Sequence, residues 1–299
     1  MIGIKVQGRF GNQLFQYAFA YAAAKKIGTS FYMDERDQAL IIQDYFDLPF
    51  SFSVFLEHRL FRINGYGNFF SGLLKKKFYL LLHRYAVSLQ EAFPADAGKN
   101  EVFSRIRNKT FFEGYFLSED YFRDCSAALR KIFRVKRHFR IEYHKRYGAL
   151  LTGKKVITVH IRKSDYLNLG HLNLGGDDLS LPMAYYHHIL APLQAENTLF
   201  IFISDDTTDI AAEFGYIGNK LVPAGDMISD FQHLLNADVC VIANSTFSWW
   251  GAWLNSRPHK KIFAPEHFMG HIVDRPWPDG IYPPDWVQVN VNKTMNPVN

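Results

Sequence analysis

The sequence predicts an α/β protein with two Rossmann-like halves that face a cleft. Short β-branched runs alternate with helical stretches of about 10–15 residues, which is the pattern of βαβ units in a parallel sheet. The 299 residues allow two domains, since one domain takes roughly 150 residues. Hydrophobic residues at 48% and charged residues at 21% exclude a disordered, collagen-like or coiled-coil chain. We place the boundary after residue 150, which gives domains of residues 1–150 and 151–299.

The N-terminal half opens with a strand, a turn that contains glycine and a helix, predicted at Ile2–Val6, Gln7–Gln13 and Leu14–Lys26. A second strand-like run covers Thr110–Phe116, and a helical pattern over Ser118–Phe133 follows it. Serine is a preferred residue before the first turn of a helix, because its hydroxyl accepts a backbone N–H. This half is therefore predicted to begin as a Rossmann-like unit.

The C-terminal half repeats the alternation of strands and helices. Its β-branched and aromatic runs predict strands at Lys155–Ile161, Thr198–Ile203, Leu221–Val222, Val239–Ala243 and Lys261–Ala264. Helical stretches fall between these strands at Met183–Glu196 and Ser229–Asn236. Strands that alternate with helices in this way predict a second parallel sheet.

Cationic residues outnumber acidic ones and cluster in two runs. The net charge of +5 predicts an anionic ligand. The runs are Arg59–Arg84 and Arg130–Arg146, and the second holds eight Lys or Arg residues against Glu142 alone. Solvated helix faces explain such runs most often, but a membrane-surface or nucleic-acid-binding module is kept as a second hypothesis.

The cysteines and the N-terminus predict a compartment. Cys125 and Cys240 lie far apart, without CxxC spacing or a Cys/His cluster, so neither a disulfide framework nor a structural zinc site is expected. Residues Met1–Val6 have the pattern of a buried strand rather than of a signal peptide. No uncharged apolar stretch approaches the roughly 20 residues of a spanning helix. We therefore expect a cytoplasmic protein without a transmembrane segment.

The first candidate motif is the turn Gly8–Gln13, which follows a strand and opens a helix. Such a turn brings backbone N–H groups and a helix N-terminus to the carboxyl end of a sheet, where anionic or sugar ligands bind. Gly11, Asn12 and Gln13 are the candidate cleft residues. An ordinary tight turn explains the spacing equally well. The motif is not GxGxxG, so a dinucleotide-binding dehydrogenase is disfavoured.

The second candidate motif is His160–Tyr166, at the end of a predicted strand. Alternation along the strand directs His160 and Arg162 to the same side. A guanidinium matches phosphate oxygens with two parallel hydrogen bonds and stabilises charge on a leaving pyrophosphate. The alternative is structural: Arg162 forms an ion pair with Asp165, and His160 is a satisfied core residue.

Two further motifs follow later strands. Asp205 and Asp206 end a strand, where they can accept from a guanine ring or a ribose, hold a divalent metal, or cap the next helix. In the segment Ala243–Asn255, hydroxyls and free N–H groups at a helix start can hold a diphosphate without a metal. Its three tryptophans either pack behind the site or stack on a ligand ring.

Together the segments GRFGNQLFQYAFA, HIRKSDY, FISDD and NSTFSWWGAWLN resemble, in this order and over nearly the whole chain, the α-1,2-fucosyltransferase family. The turn and the HxRxxD strand are also similar to protein O-fucosyltransferases and α-1,6-fucosyltransferases. The resemblance implies a GT-B-like fold and inverting transfer from GDP-β-L-fucose without a metal or other cofactor. It also implies a bacterial cytoplasmic enzyme whose acceptor is the 2-hydroxyl of a terminal β-galactoside, in a surface glycan such as an O-antigen or in an oligosaccharide.

The resemblance also assigns roles to residues. It implies an N-terminal acceptor-side domain, with Asn12 near the fucose and the acceptor, and a C-terminal donor domain. The implied donor-binding residues are His160, Arg162, Asp205, Asp206, Ser245, Thr246 and Phe247. One departure from the usual HxRRxDY pattern is Lys163, which keeps the charge but loses the guanidinium fork.

Two expectations go beyond the motifs. Asp165 is the first candidate for a general base and His160 the second, although Asp165 can instead orient Arg162 or Asn12. The alternative is a fucosyltransferase of the same fold that uses another acceptor or forms another linkage. We expect no nucleic-acid partner, and we predict that the basic runs hold the enzyme near an anionic membrane.

Overall fold

The computed structural model of this chain describes residues 1–49 and 70–295. It divides into two compact units, unit 1 at Met1–Arg134 and unit 2 at Val135–Asn299. The part of the basic run Arg59–Arg84 that precedes residue 70 lies outside the described residues. Each unit is a parallel sheet with helices, as the alternating pattern predicts.

The sheet of unit 1 has four parallel strands in the order β2-β1-β4-β3. The strands are β1 (Ile2–Lys5), β2 (Phe31–Asp34), β3 (Leu89–Ala92) and β4 (Thr110–Glu113). All neighbouring strands are parallel, so the carboxyl ends of the four strands lie at one edge of the sheet.

The described helices of unit 1 are α1 (Phe10–Lys26), α2 (Phe70–Ala86), α3 (Lys99–Ser104) and α4 (Ser126–Ile132). The helix predicted over Ser118–Phe133 is instead two 3-10 turns, Glu119–Tyr121 and Arg123–Cys125, followed by α4. Phe122 leaves helical geometry at φ −139°, and this turn lets the adjacent Tyr121 and Phe122 both pack on α1.

The sheet of unit 2 has six parallel strands in the order β7-β6-β5-β8-β9-β10. They are β5 (Lys155–Ile161), β6 (Thr198–Ser204), β7 (Lys220–Leu221), β8 (Val239–Val241), β9 (Lys261–Pro265) and β10 (Val287–Val289). Numbered within the unit, this is the 3-2-1-4-5-6 order of a doubly wound fold, with the switch point between β5 and β8.

The described helices of unit 2 are α5 (Arg137–Leu151), α6 (Met183–Leu190), α7 (Ile210–Glu213), α8 (Met227–Leu235), α9 (Thr246–Leu254) and α10 (Val291–Met295). The helix predicted over Met183–Glu196 changes to a 3-10 turn at Ala191–Leu193, where Pro192 lacks the N–H that an α-helix needs. Two further 3-10 turns, Ser164–Asn168 and Gly170–Leu172, follow β5.

The division between the units lies earlier than the boundary predicted after residue 150. Helix α5 belongs to unit 2 because it packs on α8. The Tyr143 hydroxyl lies 2.8 Å from Nδ1 of His233, and the Tyr147 ring centroid is 4.5 Å from that imidazole. The basic run Arg130–Arg146 therefore crosses the division instead of ending the first domain.

The apolar core of unit 2 is built from side chains of its central strands and their helices. Phe202 on β6 is fully buried and stacks on Phe214, with ring centroids 4.4 Å apart. Adjacent core members come from β5 and α6, including Val159 and Tyr185.

Across the described ranges 1–49 and 70–295, none of the helices combines the length and apolarity that crossing a bilayer would take.

Replacing Phe202 by alanine is expected to lower the free energy of unfolding of unit 2 by about 3–5 kcal/mol, because it leaves a cavity beside Phe214. All 5 tryptophans lie in unit 2, so urea unfolding followed by tryptophan fluorescence reports on this unit. The control Leu150→Ala, at a side chain that is 44% exposed, should change the free energy by no more than about 0.5 kcal/mol. Equal losses in the two variants would contradict the assignment of this core.

Candidate active site

The candidate site lies at the switch point of unit 2, where β5 and β8 end side by side. Val159 pairs with Val241 in register, so the segments that follow the two strands leave the same edge of the sheet. The Tyr166 hydroxyl in the segment after β5 donates to the carbonyl oxygen of Asn244 after β8, at 2.8 Å. Ligands of doubly wound folds bind at this edge, outside the carboxyl ends of the strands.

Arg162 is held at this edge by two carboxylates. Its guanidinium lies 2.5 Å from Asp165 and 3.3 Å from Asp205, and 5.5 Å from the ring centroid of Tyr166. The Arg162 side chain is 15% exposed, so the cation is mostly desolvated yet still reachable. The ion pair that the sequence allowed as an alternative is present, and it orients the guanidinium.

The two consecutive aspartates at the end of β6 have different surroundings. The Asp205 carboxylate accepts from the Lys163 amide at 3.0 Å and from the Ser164 hydroxyl. Burial opposes its ionisation, but these hydrogen bonds and Arg162 outweigh burial and lower the pKa of Asp205. Asp206 instead accepts from the Thr208 amide at 2.9 Å in a local turn. The structure therefore brings Asp205 to Arg162 and leaves the predicted Asp206 outside the cluster.

His160 is a neutral imidazole buried beneath the site. Burial is the main cause that lowers its pKa to about 3, with a smaller contribution from the nearby Arg162 cation. Its ring centroid lies 5.5 Å from that of Phe247. Within the described part of the chain, the buried Nδ1 has no hydrogen-bond partner. An unmet buried nitrogen of this kind costs about 1–3 kcal/mol, which a ligand hydrogen bond would offset.

Helix α9 presents its N-terminus at the same edge. Ser245 precedes the first turn in an extended conformation, and its side chain makes no capping hydrogen bond. The hydroxyl of Ser248 turns inward to the Ser245 carbonyl, at 3.2 Å. Thr246 and Phe247 are partly exposed. The first N–H groups of a helix have no partner within that helix and favour anions, so this end can hold a phosphate at the same sheet edge as Arg162.

The tryptophans of α9 pack behind the site. Trp249, Trp250 and Trp253 are all buried, at 2% exposure or less. The indole N–H of Trp249 donates to the Ile281 carbonyl at 2.9 Å. Of the two roles that the sequence left open, packing is the one observed, because rings with this burial cannot stack on a ligand.

The glycine turn of unit 1 separates its three candidate residues. Gly8 has a φ of +74°, which favours glycine, and a Cβ there would lie 2.5 Å from the Asn12 side-chain nitrogen. Gln13 is fully buried and hydrogen-bonds to backbone groups of Gly8, Ala39 and Ile41. Gln13 and Gly11 are buried in the turn, whereas Asn12 is half-buried. The role of the three residues in a cleft stays a prediction.

A cavity of about 370 Å³ opens at the carboxyl edge of the unit 1 sheet. Its walls combine charged groups with Phe111 and Leu80, and Lys5 forms an ion pair with Glu113 at 2.6 Å across it. The remaining lining residues are Arg36, Asp37, Lys76 and Gln90. No sequence motif predicted this cavity, because its members come from three strands, the segment after β2 and α2.

Asp230 is a candidate that the sequence did not reveal. It lies near the start of α8, beside Phe231, whose ring centroid is 5.4 Å from that of Phe247 in the site. Burial, with a smaller effect of Asp226, raises the pKa of Asp230 to about 7. Its Oδ1 is buried and has no hydrogen-bond partner in the described ranges. An acid in a first helical turn ordinarily indicates only a favourable helix dipole, so the sequence offered no signal.

Metal ligation was an open alternative for the aspartates. Within the residues that the structure describes, no group of three or more His, Cys, Asp or Glu side chains could hold a metal ion. Asp205 accepts hydrogen bonds from the Lys163 amide and the Ser164 hydroxyl of the segment that carries Arg162. Transfer without a metal stays a prediction.

Solved structures share this architecture. NodZ α-1,6-fucosyltransferase, solved after soaking with GDP-fucose, matches with a TM-score of 0.50 and 15% identity over 85% of this chain and 92% of that chain. POFUT1 in complex with GDP matches with a TM-score of 0.50 and 13% identity over 88% and 97% of the two chains. Identities this low show the fold alone, and the fold is that of a GT-B glycosyltransferase.

The chain belongs to glycosyl transferase family 11, whose sequence profile matches residues 1–290. The α-1,2-colitosyltransferase of Escherichia coli is 24% identical over 272 residues, which are 84% of this chain and 87% of the relative. The O-antigen biosynthesis glycosyltransferase WbnK of Escherichia coli is 25% identical over 296 residues, 88% and 93% of the two chains. The family and the fold class predicted from the four motifs are confirmed.

Replacing His160 by glutamine is expected to flatten the pH dependence of stability. The folded pKa is about 3, whereas an unfolded imidazole titrates near about 6.5, so only the unfolded state gains this proton as the pH falls between these values. From pH 7 to pH 5 the wild type should lose about 2 kcal/mol more than the variant. Urea unfolding followed by tryptophan fluorescence at both pH values measures this difference, and parallel losses would contradict a buried neutral His160.

Proposed function

We propose that this protein transfers L-fucose from GDP-β-L-fucose to the 2-hydroxyl of a terminal β-galactoside, with inversion at the anomeric carbon. Its membership of glycosyl transferase family 11 establishes the reaction class. The observation that carries the proposal is Arg162, a fixed cation at the same sheet edge as the α9 N-terminus. NodZ has been solved after soaking with GDP-fucose and POFUT1 with GDP, which supports a guanosine diphosphate sugar as donor.

The diphosphate is the part of the donor that this site suits best. Arg162 offers a planar set of donors to phosphate oxygens, and the first N–H groups of α9 offer further donors on the neighbouring segment. Ser245 and Thr246 add hydroxyls at the helix start. Because Asp165 and Asp205 already orient the guanidinium, it needs no rearrangement when negative charge develops on the leaving GDP.

Asp230 is the group that we assign to the guanine ring. An ionised carboxylate can accept two N–H groups from one edge of guanine, and adenine does not offer that pair of donors. The buried Oδ1 without a partner and the raised pKa of Asp230 describe a carboxyl that lacks compensating contacts in the free protein. Asp205, the sequence-based candidate for this contact, already hydrogen-bonds to the Arg162 segment.

Inversion requires the acceptor oxygen to attack the anomeric carbon from the face opposite GDP. The bond between that carbon and the β-phosphate oxygen breaks, GDP leaves with the electron pair, and the acceptor proton passes to a base or to water. The ion pair with Arg162 supports Asp165 as a positioning residue, and the buried neutral His160 as a donor contact. Asn12, half-buried at the unit 1 turn, is our candidate for contacting the transferred sugar.

We assign binding of the acceptor glycan to the cavity of unit 1. The cavity at the carboxyl edge of its sheet combines Phe111 and Leu80 with charged groups, a mixture that suits the apolar face and the hydroxyls of a sugar. WbnK acts in O-antigen biosynthesis, which supports a surface glycan as the source of the β-galactoside.

A second candidate is transfer of colitose, a sugar that lacks one hydroxyl of fucose. It is favoured by the 24% identity with the α-1,2-colitosyltransferase of Escherichia coli. The two donors share their nucleotide, so the residues around Arg162 do not distinguish them. Competition between GDP-fucose and GDP-colitose for one acceptor decides which sugar is preferred.

Replacing Arg162 by alanine is expected to lower turnover at least about 100-fold, because the fixed cation opposite the leaving diphosphate is lost. The assay measures GDP release and product linkage with GDP-fucose and N-acetyllactosamine, with excess EDTA throughout. The control Arg137→Ala removes an exposed cation of α5 in the same unit and should leave turnover unchanged.

The outcomes of this assay test the donor, the acceptor, the linkage and the metal independence of the proposal separately. A 2-linked fucose formed despite EDTA and lost only in Arg162→Ala supports donor, linkage and metal independence together. Binding of GDP-fucose without fucosylation contradicts the acceptor, and loss of activity with EDTA contradicts transfer without a metal. Failure to bind GDP-fucose contradicts the donor.

Replacing Asp230 by asparagine is expected to weaken GDP binding at least about tenfold, because hydrogen bonds to a charged group are lost. With a pKa of about 7, the carboxyl becomes protonated below neutral pH, so wild-type affinity should fall about tenfold from pH 8 to pH 6. Isothermal titration with GDP at both pH values measures this. The variant shares the titration of the phosphates themselves, so an equal pH dependence in both proteins would contradict the role of Asp230.

A further inference from the structure

Helix α2 exposes four leucines to solvent. Leu73, Leu74, Leu80 and Leu81 are 46%, 57%, 54% and 60% exposed. Their spacing of seven residues, with Lys77 between the pairs, places them on one face of the helix. Exposed leucines are ordinary when scattered, but a cluster of this kind on one helix face indicates a surface that binds something.

The opposite face of α2 is fixed in the core, so the helix cannot turn to bury these leucines. Tyr79 is 1% exposed and stacks on Tyr32 of β2, with ring centroids 6.2 Å apart. Phe78 and Leu82 pack on the same cluster, which includes Phe111 of β4. The outward position of the leucines therefore follows from the packing of unit 1.

The charge of α2 identifies the partner. The helix FSGLLKKKFYLLLHRYA contains Lys and Arg residues and no Asp or Glu. Lys77 lies on the exposed face with the leucines. In a pairing of two copies through this face, Lys77 would meet its own counterpart, and like charges oppose each other. An anionic lipid surface complements the same cations, and long Lys and Arg side chains can reach its headgroups while leucines enter the apolar layer.

We propose that α2 is a membrane-docking helix, which lies in the interface of an anionic bilayer with its four exposed leucines inserted. Lys76 and Leu80 of this helix also line the unit 1 cavity. Docking would therefore bring that cavity to the lipid surface, where a glycan carried on a lipid can enter it. This last step rests on the proposed function, whereas the docking itself depends only on the surface of α2.

The test is co-sedimentation of the full chain with vesicles of phosphatidylcholine, alone or with about one-third phosphatidylglycerol. The wild type should sediment with the anionic vesicles and only weakly with neutral ones. Leu74→Ser combined with Leu81→Ser, or Lys77→Glu alone, should lower the partition coefficient at least about tenfold. These three residues do not line the cavity, so transfer to a soluble acceptor should persist in both variants.

The matched control changes another exposed basic helix. Ile141→Ser combined with Lys145→Glu alters α5 in the same chemical way, at an isoleucine that is 55% exposed. This control should retain vesicle binding. Thermal unfolding followed by far-ultraviolet circular dichroism checks that every variant folds, because tryptophan fluorescence reports only on unit 2.

Failure of the wild type to bind anionic vesicles, or undiminished binding of the α2 variants, overturns the proposal. Sedimentation velocity that finds a dimer abolished by Leu74→Ser and Leu81→Ser, without vesicle binding, reassigns the face to a second copy of the chain. Activity on the soluble acceptor is measured in parallel. Its absence in the wild type would contradict the proposed function and leave the docking result to be judged on vesicle binding alone.

Discussion

The ion pairs of one arginine organise the candidate site. Arg162 stands between Asp165, three residues further along the chain, and Asp205, and the contact with Asp205 depends on the sheet of unit 2. Ile161 pairs with Ser204, so the segments after β5 and β6 leave the sheet together and the Lys163 amide reaches Asp205. A charge that folding has already oriented can stabilise a reacting anion without further rearrangement. On the other side of β5, the pairing with β8 brings the segments after these two strands together, and the Tyr166 hydroxyl donates to the Asn244 carbonyl.

The rigid support behind the N-terminus of α9 has a separate origin. The N-terminus of α9 keeps its position because three tryptophans of the same helix are buried, and one of them hydrogen-bonds to the Ile281 carbonyl. A helix that is apolar on nearly all sides is stable only inside a core. The cost is that these rings are unavailable to a ligand. The three tryptophans, for which ligand stacking was one of two predicted roles, instead hold the helix in place. A preorganised site depends on such rigid support.

The two units carry different kinds of surface. Unit 2 contains the buried charges and the helix N-terminus that suit a nucleotide diphosphate, whereas unit 1 contains a half-polar cavity and the leucine face of α2. The proposed transfer from a charged donor to a glycan would use both kinds of surface. The basic residues of the two units also differ in their surroundings. Arg162 is mostly buried and fixed, and Lys77 is exposed on a helix without acids.

Local patterns in the sequence determined the alternation of strands and helices, the position of Arg162 at a strand end, and the family. They could not separate Asn12 from Gln13, or Asp205 from Asp206, because neighbours of similar chemistry differ only in which remote groups they meet. Asp230 and the assignment of α5 to unit 2 depend on contacts between α8 and segments distant in sequence. Periodicity reports which face of an element is buried, whereas hydrogen-bond partners and desolvation arise only when distant elements pack. The tertiary structure therefore decided which candidate side chains support the site and which remain available to a ligand.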